Sequence, residues 1–222
     1  MRRVVVSPHP DDAVWSCGGM FDAWTAGGDA LTVVTVFDGG PAAAVRRAED
    51  AAALAAWPVR SVGLGFPDAA HRGNRYPGPL SRRRGVHPDD AGTVAAVAAA
   101  LAPFLPDADV LLLPLAERTH VDHVIARTAA ERAAAAGTAA DVVYYAEFPY
   151  APPPAAGGGD LEVTAHRADF SAWLRGSLVY RSQVTELFGG PLRFGRALAR
   201  HARTPAVWRE HRRTAQGATA SK

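Results

Sequence analysis

Residues 3–12 read Arg-Val-Val-Val-Ser-Pro-His-Pro-Asp-Asp, and the way this stretch ends sets the reading of everything after it. The valine run reads as a buried first strand, Arg3–Ser7, that stops at a functional turn. Beyond the turn, Ala13 to Gly27 reads as a helix stopped by Gly27-Gly28. Leu31–Phe37 (LTVVTVF) is continuous and β-branched, as in a strand covered on both faces. The alternation continues with helix Ala42–Trp57, strand Val59–Phe66, a long loop Pro67–Pro88 rich in Arg and Gly, and helix Asp89–Leu105. Strand Asp109–Leu115, helix Thr119–Gly137 and strand Asp141–Ala146 follow. Strand and helix in repeated alternation imply right-handed βαβ units and a mostly parallel sheet. The fold class is therefore α/β, a Rossmann-like sheet flanked by helices. A Pro/Gly-rich loop, Ala151–Gly159, leads to a candidate edge strand, Leu161–His166. Helices Phe170–Phe188 and Leu192–His201 then form a C-terminal helical extension. We expect one domain over residues 1–213 and a disordered tail over 214–222.

In an open parallel sheet, ligands sit beyond the carboxyl ends of the strands. Three such ends carry candidate chemistry: His9-Pro10-Asp11-Asp12 after the first strand, Phe66-Pro67-Asp68 after the third, and His120-Val121-Asp122-His123 after the fourth. His120 and His123, three apart on an opening helical turn, share a face. Thr119 with Asp122 has capping-box spacing, so a plain helix start also accounts for that cluster. A helix N-cap equally accounts for Asp11-Asp12. A histidine and a carboxylate from one turn, plus a histidine from another, nevertheless make an N/N/O set with a vacant fourth position. That vacancy distinguishes a catalytic zinc site from a structural one. The chain carries its own control, because His87-Pro88-Asp89-Asp90 repeats the tetrapeptide after Arg82–Gly85, with no apolar strand before it. There Pro and acidic residues at a helix start suffice, and the second copy reads as capping.

Ser7–Asp12 with Cys17-Gly18-Gly19, Pro114-Leu115 and His120–His123 resembles the LmbE/PIG-L family of zinc-dependent N-deacetylases. Further echoes are Arg46/Arg47 with Glu49, Phe66–Ala69, Tyr144–Tyr150 and Tyr180–Gln183, so the likeness runs from about residue 3 to 188. The resemblance implies a Rossmann-like fold and removal of an acyl group from N-acetylglucosaminyl compounds or related small molecules. It implies metal ligands His9, Asp12 and His123, with Zn²⁺ expected and another divalent ion open. It implies Asp11 as general base. His120 would steady the oxyanion or protonate the leaving amine, with Asp122 holding its ring and favouring the imidazolium. Arg46, Arg47 and Asp68 match substrate-contacting positions. Adjacent side chains on a turn diverge, so Asp11 is not expected to share the metal with Asp12. Two departures bear on the substrate: Ala13 stands where relatives often carry Glu, and Glu117-Arg118 precede His120. Arg118 either reads a polar group of the substrate or forms an exposed ion pair with Glu117, and both readings stay open.

The composition agrees with a globular protein. The 222 residues are 48% hydrophobic and 21% charged, with a formal net charge of +2, which is weak for a nucleic-acid binder. The single cysteine, Cys17, excludes an intrachain disulfide and a Cys-based zinc cluster, and reads as packed. Arg72, Arg75 and Arg82–Arg84 read as a solvated loop in preference to a lid for an anionic substrate. No apolar run reaches membrane-spanning length, and the N-terminus lacks a signal-peptide core, so a cytoplasmic location is expected. Partners are a small-molecule N-acyl substrate, no nucleic acid and no membrane, with a homo-oligomer left open. Hydrolysis of another C–N bond at the same metal is the rival within enzymes. The rival outside them is a non-catalytic sugar- or nucleotide-binding module; a nucleotide-binding Rossmann protein is disfavoured because no G-x-G-x-x-G follows the first strand.

Overall fold

The computed structural model describes residues 1–40, 43–116, 120–150, 161–164, 169–203 and 207–210. Five parallel strands form the body of the sheet: β1 (Arg2–Ser7), β2 (Ala30–Thr35), β3 (Val59–Gly63), β4 (Val110–Pro114) and β5 (Asp141–Tyr145). Two short strands, β6 (Leu161–Thr164) and β7 (Val207–Glu210), extend it. The order is β3-β2-β1-β4-β5-β7-β6, with β7 antiparallel to both its neighbours. The outermost position of β6 agrees with its reading as an edge strand, whereas β7 has no counterpart in the sequence reading. Four residues are too few for a period-two pattern to stand out.

The helices between strands are α1 (Asp12–Ala26), α2 (Ala43–Leu54), α3 (Ala91–Leu101) and α4 (Val121–Gly137). Strand side chains alternate between faces, and the core divides accordingly. Val4, Val6, Leu111 and Leu113 pack in one cluster with Leu101 of α3 and Ile125 of α4. Val5 and Leu112 face the other way, toward Trp15 and Phe21 of α1 and Leu54 of α2. Covering both faces explains why these strands are apolar throughout.

The C-terminal extension packs on this second face as three helices, α5 (Phe170–Ser177), α6 (Arg181–Phe188) and α7 (Pro191–His201). The single helix expected over Phe170–Phe188 is broken. At the break the Tyr180 hydroxyl donates to Asp50 Oδ1 at 2.6 Å, tying the chain to α2. Trp15, 1% exposed, anchors the whole face by ring contacts with Phe148, Tyr180, Phe188 and Phe194. Trp15→Ala is therefore expected to lower the unfolding free energy by about 3–5 kcal/mol in urea denaturation. A loss below about 1 kcal/mol, the range of a mild core swap, would show that this cluster does not hold the extension on the sheet. Among the described residues, no helix is long and apolar enough to cross a membrane.

Candidate active site

Strand order reverses between β1 and β4, which is the switch point where α/β sheets open a crevice. His9 and Asp12 come from the turn after β1. His120, Asp122 and His123 come from the start of α4, and Glu147 follows β5. The first turn is fixed by its own polar groups. Ser7 Oγ donates to the His9 carbonyl at 2.7 Å and accepts the Ala13 amide at 3.0 Å. The His9 amide donates to Asp12 Oδ2 at 2.9 Å. Asp11 takes φ 107°, a conformation that costs a non-glycine residue energy and that tends to occur at functional sites.

Two ring nitrogens converge on one carboxylate oxygen: His9 Nδ1 lies 3.3 Å and His123 Nε2 3.4 Å from Asp12 Oδ2. One donor atom from each of His9, Asp12 and His123 falls within 4.8 Å of the others. The opposite ring nitrogens are engaged, His9 Nε2 with Asp122 Oδ2 at 2.9 Å and His123 Nδ1 with Glu147 Oε1 at 3.1 Å. With these outer nitrogens held by carboxylates, His9 Nδ1 and His123 Nε2 are the nitrogens left to offer a lone pair to a cation. His123 Nε2 is buried and has no hydrogen-bond partner, a position that costs about 1–3 kcal/mol unless something accepts its lone pair. The residues fit a small cation with N/N/O preference. His9, His120 and Asp122 also cluster within 4.8 Å. Their Asp122 Oδ2, however, already accepts the Ala69 amide at 2.9 Å as well as His9.

Burial sets the electrostatics. It works against a charge on His9, yet Asp12 and Asp122 overcome it and bring that imidazole up to about 9. Burial likewise opposes the Asp12 charge, and His123 and His9 reverse the balance, holding its carboxyl below the usual range. At Asp11 burial dominates: the carboxyl is pushed up to about 7, with Arg46 opposing the rise and Asp12 adding to it. His120 departs from the sequence expectation. Burial, then the neighbouring His9, brings it down to about 3 despite Asp122. The reason is geometric. The Asp122 carboxylate is engaged by His9 and the Arg72 guanidinium (Nη1 to Oδ1, 2.6 Å), while His120 Nδ1 accepts the Asp122 amide at 3.3 Å and lies 3.5 Å from Asp122 Oδ2. His120 is thus a neutral imidazole with its proton on Nε2. It is also the N-cap of α4, so the cap sits one residue later than the Thr119 expected.

A cavity of about 470 Å³ opens over these groups, lined in part by His9, Arg46, Asp68, His120, Tyr150 and Gln183. Arg46 Nη2 donates to the Pro10 carbonyl at 3.1 Å and lies 3.4 Å from Asp11 Oδ2. Asp68 accepts from the Ala70 amide and pairs with His71 Nδ1 at 2.8 Å. Arg47 is not among the lining residues; its Nη1 donates to the Asp38 carbonyl at 2.7 Å and secures the loop after β2. Arg118 lies outside the described residues, as do Glu117 and Thr119.

Three buried residues escaped the sequence reading. Glu147 accepts the Ala116 amide as well as His123. A lone acid in Tyr-Tyr-Ala-Glu-Phe-Pro-Tyr, just past an apolar strand, was the available signal. Arg72 is 7% exposed, so the solvated-loop reading does not hold for it. It lies over the rings of Phe37 and Tyr76, 5.1 and 5.3 Å from their centroids. In the second tetrapeptide His87 does cap, accepting the Asp89 amide, but Asp90 is fully buried and gathers Arg72, Arg75, Tyr76 and Thr93.

A parallel sheet that brings an N/N/O donor set and a separate, buried carboxylate to its switch point has the construction a metal-dependent hydrolase requires. The family model described as GlcNAc-PI de-N-acetylase, PIG-L, matches residues 4–134, and the chain belongs to that family. It is 34% identical over 168 residues to 2'-N-acetylparomamine deacetylase of Streptomyces fradiae, covering 68% of this chain. The chain spans 58% of that relative's length. Among solved structures it is similar to the zinc-inhibited form of teicoplanin deacetylase Orf2, with TM-score 0.77, 24% identity, and coverage of 94% of this chain and 97% of that one. It is also similar to the A40926 pseudoaglycone deacetylase Dbv21, with TM-score 0.74, 23% identity, and coverage of 94% and 96%. At these identities the structural likeness is one of fold.

Proposed function

We propose that this chain is a zinc-dependent amidohydrolase that removes an N-acyl group, N-acetyl above all, from an amino sugar or a glycoconjugate carrying one. One observation carries the reading: the convergence of His9 Nδ1 and His123 Nε2 on Asp12, with His123 Nε2 buried and unpartnered. The family, and a relative named 2'-N-acetylparomamine deacetylase, support the choice of bond.

Bound zinc supplies a Lewis acid that makes water nucleophilic near neutral pH and polarises a carbonyl. The protein's own groups do the rest. The Asp11 carboxylate takes a proton from the attacking water, and an acidity near 7 suits a base working at neutral pH. Because His120 is neutral, Asp11 is also the group that hands this proton to the departing nitrogen. The C–N bond breaks, the water oxygen stays on the acyl carbon, and the products are a carboxylate and a protonated amine. His120, with Nδ1 occupied by the Asp122 amide, presents its Nε2 proton to the developing oxyanion. Arg46 and Asp68 hold sugar hydroxyls from the cavity wall. Arg47, which secures a loop, and Arg118 do not enter this assignment.

The test is metal analysis joined to turnover. The purified protein should hold about one zinc per chain, as one N/N/O set allows. It should release acetate from an N-acetylglucosaminide or N-acetylparomamine, lose that activity on chelation, and regain it with zinc. Undiminished turnover by metal-free protein ends the reading.

A further inference from the structure

The second His-Pro-Asp-Asp copy, His87 to Asp90, forms the helical turn that leads into α3. It ends in Asp90, fully buried and about 80 residues away in sequence from the metal-ligand turn at His9. Asp90 Oδ2 accepts from Arg72 Nε at 3.2 Å and from the Tyr76 hydroxyl at 2.7 Å, and Oδ1 from Arg75 Nη1 at 2.6 Å. Arg72 Nη1 then lies 2.6 Å from Asp122 Oδ1, with the Arg72 side chain 3% exposed. Asp122 Oδ2 meets His9 Nε2 at 2.9 Å. The connection Asp90–Arg72–Asp122–His9 is unbroken, buried through Asp122 and opening on the cavity only at His9. From this geometry we infer that Arg72 and Asp90 are positioning residues for the metal site, setting how firmly His9 Nδ1 is presented to the cation. The inference rests on the proposed metal site.

The physical reason lies in the balance of charge. Asp122 is a buried carboxylate, and a buried charge without a partner is costly. Its partner is one guanidinium, whose planar fork serves two carboxylates at once. Arg72 needs Asp90 for the same reason, since without it the fork keeps only Asp122 and the Pro67 carbonyl, both at Nη1. A charged, fixed Asp122 accepts the Nε2 proton of His9, which leaves the Nδ1 lone pair pointing at Asp12. An Asp122 carboxylate that loses its anchor leaves the His9 ring free to turn away from Asp12. The long loop after β3 thereby reaches the metal without touching it, and the repeated tetrapeptide acquires two unlike tasks. Its first copy supplies ligand and base, and its second supplies an anchor.

Zinc affinity, measured by chelator competition, tests this on four proteins: wild type, Arg72→Lys, Asp90→Asn and Arg84→Ala. Asp90→Asn keeps the shape and removes the charge. Contacts of this kind are worth roughly 10–100-fold in metal affinity. Arg72→Lys, keeping the charge but losing the fork, should fall within that range, and Asp90→Asn should weaken zinc by about 10-fold. Arg84→Ala, exposed on the same loop, should leave affinity within about 2-fold, the ordinary scatter for surface charges. Thermal unfolding in the metal-free state monitors the fold, and affinities are compared at a temperature where every variant is folded. If Arg72→Lys fails to fold, Asp90→Asn carries the test. Wild-type zinc affinity in a folded Asp90→Asn protein overturns the inference. A wild-type protein that binds no zinc overturns the proposed metal site instead, so the two failures are distinct.

Discussion

Asp11→Asn is expected to bind zinc as tightly as the wild-type protein while losing about 10²- to 10⁴-fold in kcat, the usual worth of a positioned general base. Asn has the size of Asp and tolerates positive φ better than most residues, so the turn at φ 107° survives the change. His9, Asp12 and His123 keep their donor atoms, and only the proton acceptor is gone. A second consequence has the opposite sign. Burial brings Asp11 up to about 7 from an ordinary value of 3.8. The folded metal-free protein therefore favours the protonated carboxyl. The stability this confers is complete below about 3.8 and is lost as pH rises through about 7. At pH 8 the wild-type protein carries a buried carboxylate that the Asn variant lacks. Metal-free Asp11→Asn should then melt higher than wild type at pH 8, and the gap should close on acidification toward pH 4. Measured acetate release and melting curves at the two pH values check both halves. Full turnover in the variant removes Asp11 from the mechanism. An unchanged melting point at pH 8 means that the carboxylate is not under the stress its burial implies.

The sheet was legible because the strands that build it are long, apolar runs bounded by clear turns. Arg3–Ser7, Leu31–Phe37 and Asp109–Leu115 all appear as strands within a few residues of their expected limits. Patterns lost force where contacts between distant segments decide the outcome. The break between α5 and α6 depends on Tyr180 reaching Asp50, and no local signal announces a partner 130 residues away. β7 exists because β5 and β6 offer it edges. At the site, the sequence exposed the residues that chemistry makes conspicuous: the two histidine-bearing turns that the structure brings together. It concealed the residues that hold them. Glu147, Arg72 and Asp90 are charged groups whose importance comes from being buried, and burial is a property of the fold. The same gap misplaced the charge of Asp122. Two residues from His120 in sequence, its carboxylate belongs in space to His9 and Arg72.

Asp12→Ala should be the most damaging single substitution at the site. Asp12 Oδ2 is the oxygen on which both His9 Nδ1 and His123 Nε2 converge. Its loss leaves two imidazoles and no anionic donor, so zinc binding should weaken by more than the roughly 10–100-fold attached to outer contacts. Turnover should fall to background at any zinc concentration that leaves the protein soluble. The metal-free protein gives an independent reading of the same carboxylate. His9 is brought up to about 9 from 6.5 by its carboxylate partners, Asp12 before Asp122. A raised histidine contributes stability that is fully present below about 6.5 and is lost as pH climbs through about 9. Wild type should accordingly be more resistant to urea than Asp12→Ala at pH 6 in the presence of a chelator, with the difference shrinking by pH 10. The two measurements separate the roles of one side chain, as a ligand when zinc is bound and as a counter-charge when it is not. Retention of zinc by Asp12→Ala would falsify the ligand assignment. Equal stabilities at pH 6 would show that His9 draws its charge from Asp122 alone.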